Sequence, residues 1–129
     1  MKTLPFGTTS NGESAELYVL SNVNGMTVSI SNYGASIVSI CVPSASGKLV
    51  DVVLGYDNAA GYEADANWFG ALVGRNANRI AGAQFEIAGE TVQLAATEVA
   101  NSLHSQPHRW MHRMWTLVPH ETARAGSPA

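Results

Sequence analysis

The sequence predicts an all-β chain, and three observations carry that class. Apolar and polar residues alternate with a period of two in several short runs, the runs are punctuated by Asn-Gly and other glycine-bearing turns, and strand follows strand without helical spacing. Strands that are apolar on one side need a facing sheet to cover them, so the architecture expected is part of a β-sandwich. A sandwich that stops early leaves edges with unpaired donors and acceptors, so the unit is expected to be incomplete.

The elements follow in order. Ala15 to Leu20 is an apolar-rich run that stops at Ser21-Asn22-Val23-Asn24-Gly25, where Asn-Gly supplies positive-φ turn chemistry and predicts a hairpin. Met26, Val28 and Ile30 alternate with Thr27, Ser29 and Ser31, which places the apolar set on one sheet face and the hydroxyls on the other. Tyr33-Gly34-Ala35 breaks the pattern. Ile37, Val38, Ile40 and Val42 resume it until Pro43 removes a ladder donor and Ser44-Ala45-Ser46-Gly47 turns the chain. Leu49 to Leu54, interrupted by Asp51, predicts a strand buried on one or both faces. Residues 55–67 show neither period and are expected to form a loop with room for one helical turn. Phe85 and Ile87 mirror Val92 and Leu94 across Ala88-Gly89-Glu90, a second hairpin. The polar end, residues 119–129, has no apolar anchor and is expected to be a frayed, solvated tail after a single unit spanning residues 1–118.

Composition narrows the function. A formal charge of −3 with seven basic residues offers no broad positive field for nucleic acid. No stretch is apolar enough to span a bilayer, and the first residues lack the apolar core of an export signal, so no membrane partner is expected. Cys41 is the only cysteine, which forbids an intrachain disulfide and fits a cytoplasmic protein; its neighbours Ile40 and Val42 make it an ordinary half-buried strand residue.

Two segments gather polar chemistry: Gly70 to Ile80, GALVGRNANRI, and Asn101-Ser102-Leu103-His104. Asn78-Arg79 presents a planar guanidinium beside an amide that both donates and accepts, a pair suited to vicinal sugar hydroxyls or a carboxylate; a solvated arginine at a strand end is the alternative. Arg75 and Asn76 could serve the turn after Gly74. His104 follows a turn that Leu103 can anchor, either as a structural histidine or with its ring facing a cleft. His104, His108 and His112 recur every fourth residue, but Pro107 interrupts the first turn; a helix starting there would align only His108 and His112, and no nearby carboxylate or cysteine completes a metal site. Trp110 is a candidate for the core or for a sugar-stacking platform, and Trp115 for the core. The carboxylates, Glu98 among them, are scattered, and none forms a pair near Arg79 or His104 that would announce a general base.

Phe6-Gly7-Thr8, Asn32-Tyr33-Gly34-Ala35, Val52-Val53-Leu54-Gly55-Tyr56, Phe69-Gly70-Ala71, Gly74-Arg75-Asn76-Ala77-Asn78-Arg79-Ile80 and Asn101-Ser102-Leu103-His104 occur in the order seen in aldose 1-epimerases, the galactose mutarotase family. Over about Leu4 to Val118 the chain resembles the N-terminal part of that family. The resemblance implies an all-β supersandwich enzyme without metal or organic cofactor. Such an enzyme interconverts the α and β anomers of hexoses such as galactose and glucose: a carboxylate takes the C1 hydroxyl proton and a histidine protonates the ring oxygen. It carries over Asn78 and Arg79 as sugar-binding groups and His104 as the first active-site histidine, with a small aldose as the only partner implied. The chain departs from the family in three places. Ser105-Gln106 stands where the family has two glycines; the chain diverges after Val118; and the second histidine, the substrate-binding aspartate and the catalytic glutamate have no counterparts. The expectation is a truncated or frame-disrupted aldose 1-epimerase, inactive in isolation, with a noncatalytic sugar-binding remnant as the alternative.

Overall fold

Five antiparallel strands in simple sequence order form the main sheet: β1 (Lys2–Thr8), β2 (Ser14–Ser21), β3 (Thr27–Ser31), β4 (Ile37–Pro43) and β5 (Leu49–Asp51). A short helix, α1 (Ala59–Glu63), follows. Two small ladders complete the architecture: β6 (Arg79–Ile80) pairs with β9 (Ser102–Leu103), and β7 (Gln84–Ile87) forms a hairpin with β8 (Glu90–Gln93). The computed structural model describes residues 1–64, 67–107 and 109–119. Most of the tail expected over 119–129, and His108, lie outside the described residues. The chain is thus mostly strand, as expected of a partial β-sandwich, and among the described residues no helix is long and apolar enough to cross a membrane.

Strand β1 has no clear signal in the sequence, because Pro5 and Gly7 break any alternation. An edge strand tolerates both. The ladder to β2 shifts between Pro5 and Gly7, so Phe6 becomes the extra residue of a bulge and turns its ring into the core. There it lies 5.9 Å from Tyr62, whose ring also meets Tyr56 edge-on at 5.3 Å. The core cluster comprises Phe6, Ala15, Tyr33, Ala59 and Tyr62, flanked by Leu17, Val38, Tyr56 and Met114.

The β2–β3 hairpin forms where Asn24-Gly25 predicts it. The Asn22 side-chain oxygen accepts from the backbone N–H groups of Asn24 and Met26, each at 3.0 Å, while Gly25 adopts φ 83°. The alternation in β3 is also present, but its hydroxyl side is the better covered one. Leu17 pairs with Ser31 and Val19 with Ser29, so these serines share the core face with Ala15 and Leu17, and Ser31 is only 1% exposed. Its hydroxyl oxygen accepts from the Tyr33 N–H at 3.0 Å, which satisfies the buried group. Val28 and Ile30 point to the opposite face and are only half-buried.

Strand β5 is shorter than the Leu49 to Leu54 run implies, and its residues are exposed rather than buried. The cause is Asp51. Its carboxylate accepts from the N–H groups of Ile40 at 3.0 Å and Val53 at 3.2 Å, taking a donor from the ladder and turning the chain away. The single helical turn anticipated in the following loop is α1, capped by Asn58, whose side chain accepts from the Gly61 N–H at 3.1 Å. Among the described residues no helix follows Pro107; a 3-10 turn over Trp110–His112 follows an extended Arg109.

This last turn is tied to the main sheet. Gly34 N–H donates to Arg113 O at 2.8 Å, and Trp115 N–H donates to Asn32 O at 2.8 Å. Gly34 sits at φ 70°, and a Cβ there would lie 2.3 Å from Met111 O and 2.8 Å from Ser36 Oγ. Gly34→Ala is therefore expected to destabilise the fold by about 2 kcal/mol, from overlap and positive-φ strain together. Urea unfolding followed by circular dichroism checks this, and an unchanged midpoint would contradict the packing described.

Candidate functional site

The β6–β9 ladder brings the two polar segments together. Arg79 pairs with Leu103 and Ile80 with Ser102, so Asn78 and His104 become neighbours across the end of the ladder. Their contact is reciprocal: Asn78 N–H donates to His104 Nδ1 at 2.9 Å, and His104 N–H donates to Asn78 O at 3.0 Å. Both residues take positive φ, 58° and 51°, an uncommon backbone region for side chains other than glycine and asparagine. Because Nδ1 is the acceptor, the neutral imidazole carries its proton on Nε2, leaving that N–H as the group a ligand can meet.

The His104 ring is also held from the side. Trp68 lies 4.8 Å away with its plane inclined at 50°, and the Arg109 guanidinium sits 4.7 Å from the Trp68 ring centre. The sequence gives no cue to Trp68, since it lies 36 positions before His104 in a stretch without periodicity and reaches the histidine only through the fold.

Arg79 is not the free fork that its motif suggests. Its Nε and Nη2 groups donate to the two carboxylate oxygens of Glu98, a bidentate pair, while Nη1 lies 3.4 Å from Asn78 Oδ1. The expectation that no carboxylate accompanies Arg79 and His104 is therefore corrected. A tight turn places Glu98 there: Thr97 and Glu98 N–H groups both donate to Asn101 O, at 2.9 and 3.0 Å, folding the segment back beneath the arginine. The hydrogen bond from Arg79 holds the Glu98 carboxyl below the usual carboxylate range, outweighing desolvation, with the Arg79 charge adding to the effect. A carboxylate so engaged is a poor proton acceptor, so its presence does not supply a base.

Ser105 follows His104 in the left-handed region at φ 59°, a conformation natural to the glycine that the family resemblance places there. Its hydroxyl compensates by bonding the main chain of Asn76 twice, accepting from N–H at 2.7 Å and donating to the carbonyl at 3.2 Å. Trp110 is not an open stacking platform. A Cβ on Gly74 would lie 2.1 Å from its ring, so the glycine backbone rests on the indole, and Trp115 meets it edge-on at 5.6 Å. Of the other histidines, His112 stacks on Tyr33 with ring centres 6.5 Å apart, and among the described residues no three His, Cys, Asp or Glu side chains gather as a metal site.

The family model described as Aldose 1-epimerase matches residues 16–127. The chain is 34% identical over 108 residues to the aldose 1-epimerase of Escherichia coli, covering 84% of this chain and 31% of that protein. It is 38% identical over 91 residues to the galactose mutarotase of Bos taurus, covering 70% and 27% respectively. Among solved structures, an aldose epimerase homologue from C. elegans superposes with a TM-score of 0.77 at 30% identity, over 83% of this chain and 33% of that one. The chain belongs to the aldose 1-epimerase family. It spans about a third of the length of the curated relatives it matches.

The Arg79–Glu98 pair has a defined pH signature. The Glu98 value is depressed in the folded state, so the pair's contribution is fully present above the ordinary carboxylate range and is lost as pH falls through the lowered value. The Arg79 Nε–H proton resonance is expected to stay in place from neutral pH down to about 5 and to move only in more acidic solution. In Glu98→Gln it should be displaced at every pH, and a resonance insensitive to both changes would show that the pair does not form.

Proposed function

We propose that this chain presents the sugar-binding part of an aldose 1-epimerase site, and that Asn78, Arg79 and His104 contact the aldose. The observation that carries this is the tautomer imposed on His104. With Nδ1 bonded to the Asn78 N–H at 2.9 Å, the proton rests on Nε2, which becomes the donor for a ring oxygen or hydroxyl. The Asn78 amide and the N–H groups of Arg79 not engaged by Glu98 offer donors to neighbouring hydroxyls. Glu98 fixes the guanidinium plane in this scheme and does not act on substrate.

Anomer exchange requires that the C1 hydroxyl lose a proton, that the bond between C1 and the ring oxygen break, and that the ring oxygen gain a proton. The ring then closes on the opposite face of C1. His104 can serve the ring-oxygen side. The proton-accepting side needs a carboxylate free to accept, and Glu98 is committed to Arg79. The family reaction is thus proposed for the longer proteins that this chain resembles, with hexoses such as galactose and glucose as substrates and no metal or organic cofactor. The isolated chain is proposed to bind an aldose without turning it over, in a cytoplasmic setting consistent with its single cysteine.

Polarimetry separates binding from turnover. Freshly dissolved α-galactose is expected to reach anomeric equilibrium at the buffer rate in the presence of the chain, while calorimetry detects binding that Arg79→Ala and His104→Ala each weaken on the order of tenfold. Acceleration above buffer would refute the assignment of Glu98 as an unavailable base. Binding indifferent to both substitutions would refute the site.

A further inference from the structure

Asn78 fixes His104 Nδ1, but one hydrogen bond to a ring nitrogen leaves the plane of the imidazole free to tilt about it. The Trp68 contact restricts that tilt, and Trp68 is itself held in two ways. The first is its backbone. Phe69 stacks on Tyr56 at 5.6 Å, and the Gly70 carbonyl accepts from the Ile37 N–H at 3.0 Å, so the segment is seated on the start of β4. Gly70 lies so close to that strand that a Cβ there would collide with the Ile37 carbonyl. Trp68 takes φ 64°, a region that a bulky side chain enters only where its surroundings impose it.

The second is Arg109. Its guanidinium carbon stands 4.7 Å from the centre of the Trp68 ring. Among the described residues Arg109 makes no ion pair, and its Nε is buried without a hydrogen-bond partner. An arginine merely solvated at the surface would keep that donor in water. The side chain is thus committed to the indole, whose ring face attracts a cation through its quadrupole. Arg109 lies five positions after His104, so a single short segment supplies both groups that meet this indole.

We propose that Trp68 and Arg109 are positioning residues for the aldose site: Arg109 pins the indole, and the indole sets the tilt of the His104 ring and with it the direction of Nε2–H. Neither residue touches the sugar in this scheme. The proposal rests on the sugar-binding role of Asn78, Arg79 and His104 and adds the device that orients one of them.

Galactose calorimetry and proton NMR of the His104 ring test it on the full chain, with circular dichroism confirming the fold of each variant. In Trp68→Ala the His104 Hε1 and Hδ2 signals are expected to move as the indole ring current is lost, and galactose should bind on the order of tenfold more weakly. Trp68→Phe should restore most of that affinity. Arg109→Gln should shift the same ring protons and weaken binding about threefold, as loss of a cation–π contact would give, while Arg109→Lys keeps part of it. Because Arg109 acts through the indole, Arg109→Gln should add nothing in the Trp68→Ala background. A further loss there overturns the proposal, as do a Trp68→Phe variant as weak as Trp68→Ala and His104 signals unmoved by either Trp68→Ala or Arg109→Gln. If Trp68→Ala does not fold, Arg109→Gln alone decides, by whether it moves the His104 ring protons and the galactose affinity together. The two readings fail separately. An unsubstituted chain that binds no galactose refutes the half-site, whereas unmoved His104 ring protons refute the positioning role whether or not galactose binds.

Discussion

The proposed sugar site depends on a two-residue ladder and the reciprocal bond that closes it. Arg79 and Ile80 pair with Leu103 and Ser102, and at the end of that ladder Asn78 and His104 exchange a main-chain donor and acceptor through an imidazole nitrogen. The short ladder alone would be marginal. It is held by what surrounds it: the Thr97 hydroxyl accepts from the Leu103 N–H at 3.2 Å, Asn101 Oδ1 accepts from the Gly82 N–H at 3.2 Å, and Ser105 ties back to Asn76. Each bond is modest, but together they define one position for the His104 ring and one tautomer.

The main sheet supports the site at a distance. Its core face is filled by aromatic rings from β1, α1 and the loop after β5, and the chain segment around Gly34 grips the Trp110–Trp115 turn through backbone bonds. The opposite face, carrying Tyr18, Leu20, Val28 and Ile30, stays partly open, with Leu20 41% exposed. A one-sided sheet of this kind gains less apolar burial than a closed sandwich, which makes the aromatic cluster on the covered face the principal source of stability.

Much of this was legible in the sequence, and what was not has identifiable physical causes. The hairpins at Asn24-Gly25 and Ala88-Gly89 follow from turn chemistry, which is local, and the family resemblance singled out the NRI and NSLH segments, though not their pairing. Strand β1 was hidden because a bulge at an edge makes use of Pro5 and Gly7, residues that erase alternation. The burial of the serine side of β3 could not be read from alternation, which separates two faces without saying which is covered. Glu98 and Trp68 became site neighbours through a tight turn and a loop crossing, respectively, and neither leaves a periodic trace. Ser105 was legible as a departure, but its remedy, two bonds to the Asn76 main chain, was not.

Asn78 fixes His104 with Nδ1 as acceptor, which leaves Nε2–H for the proposed aldose. Long-range proton–nitrogen correlation NMR on the histidine ring tests it directly. The Nε2–H tautomer is expected in the neutral ring, with the Nε2 resonance moving on addition of galactose while Nδ1 keeps its hydrogen-bonded position. A proton on Nδ1, or an Nε2 resonance that does not respond to galactose, would contradict the account.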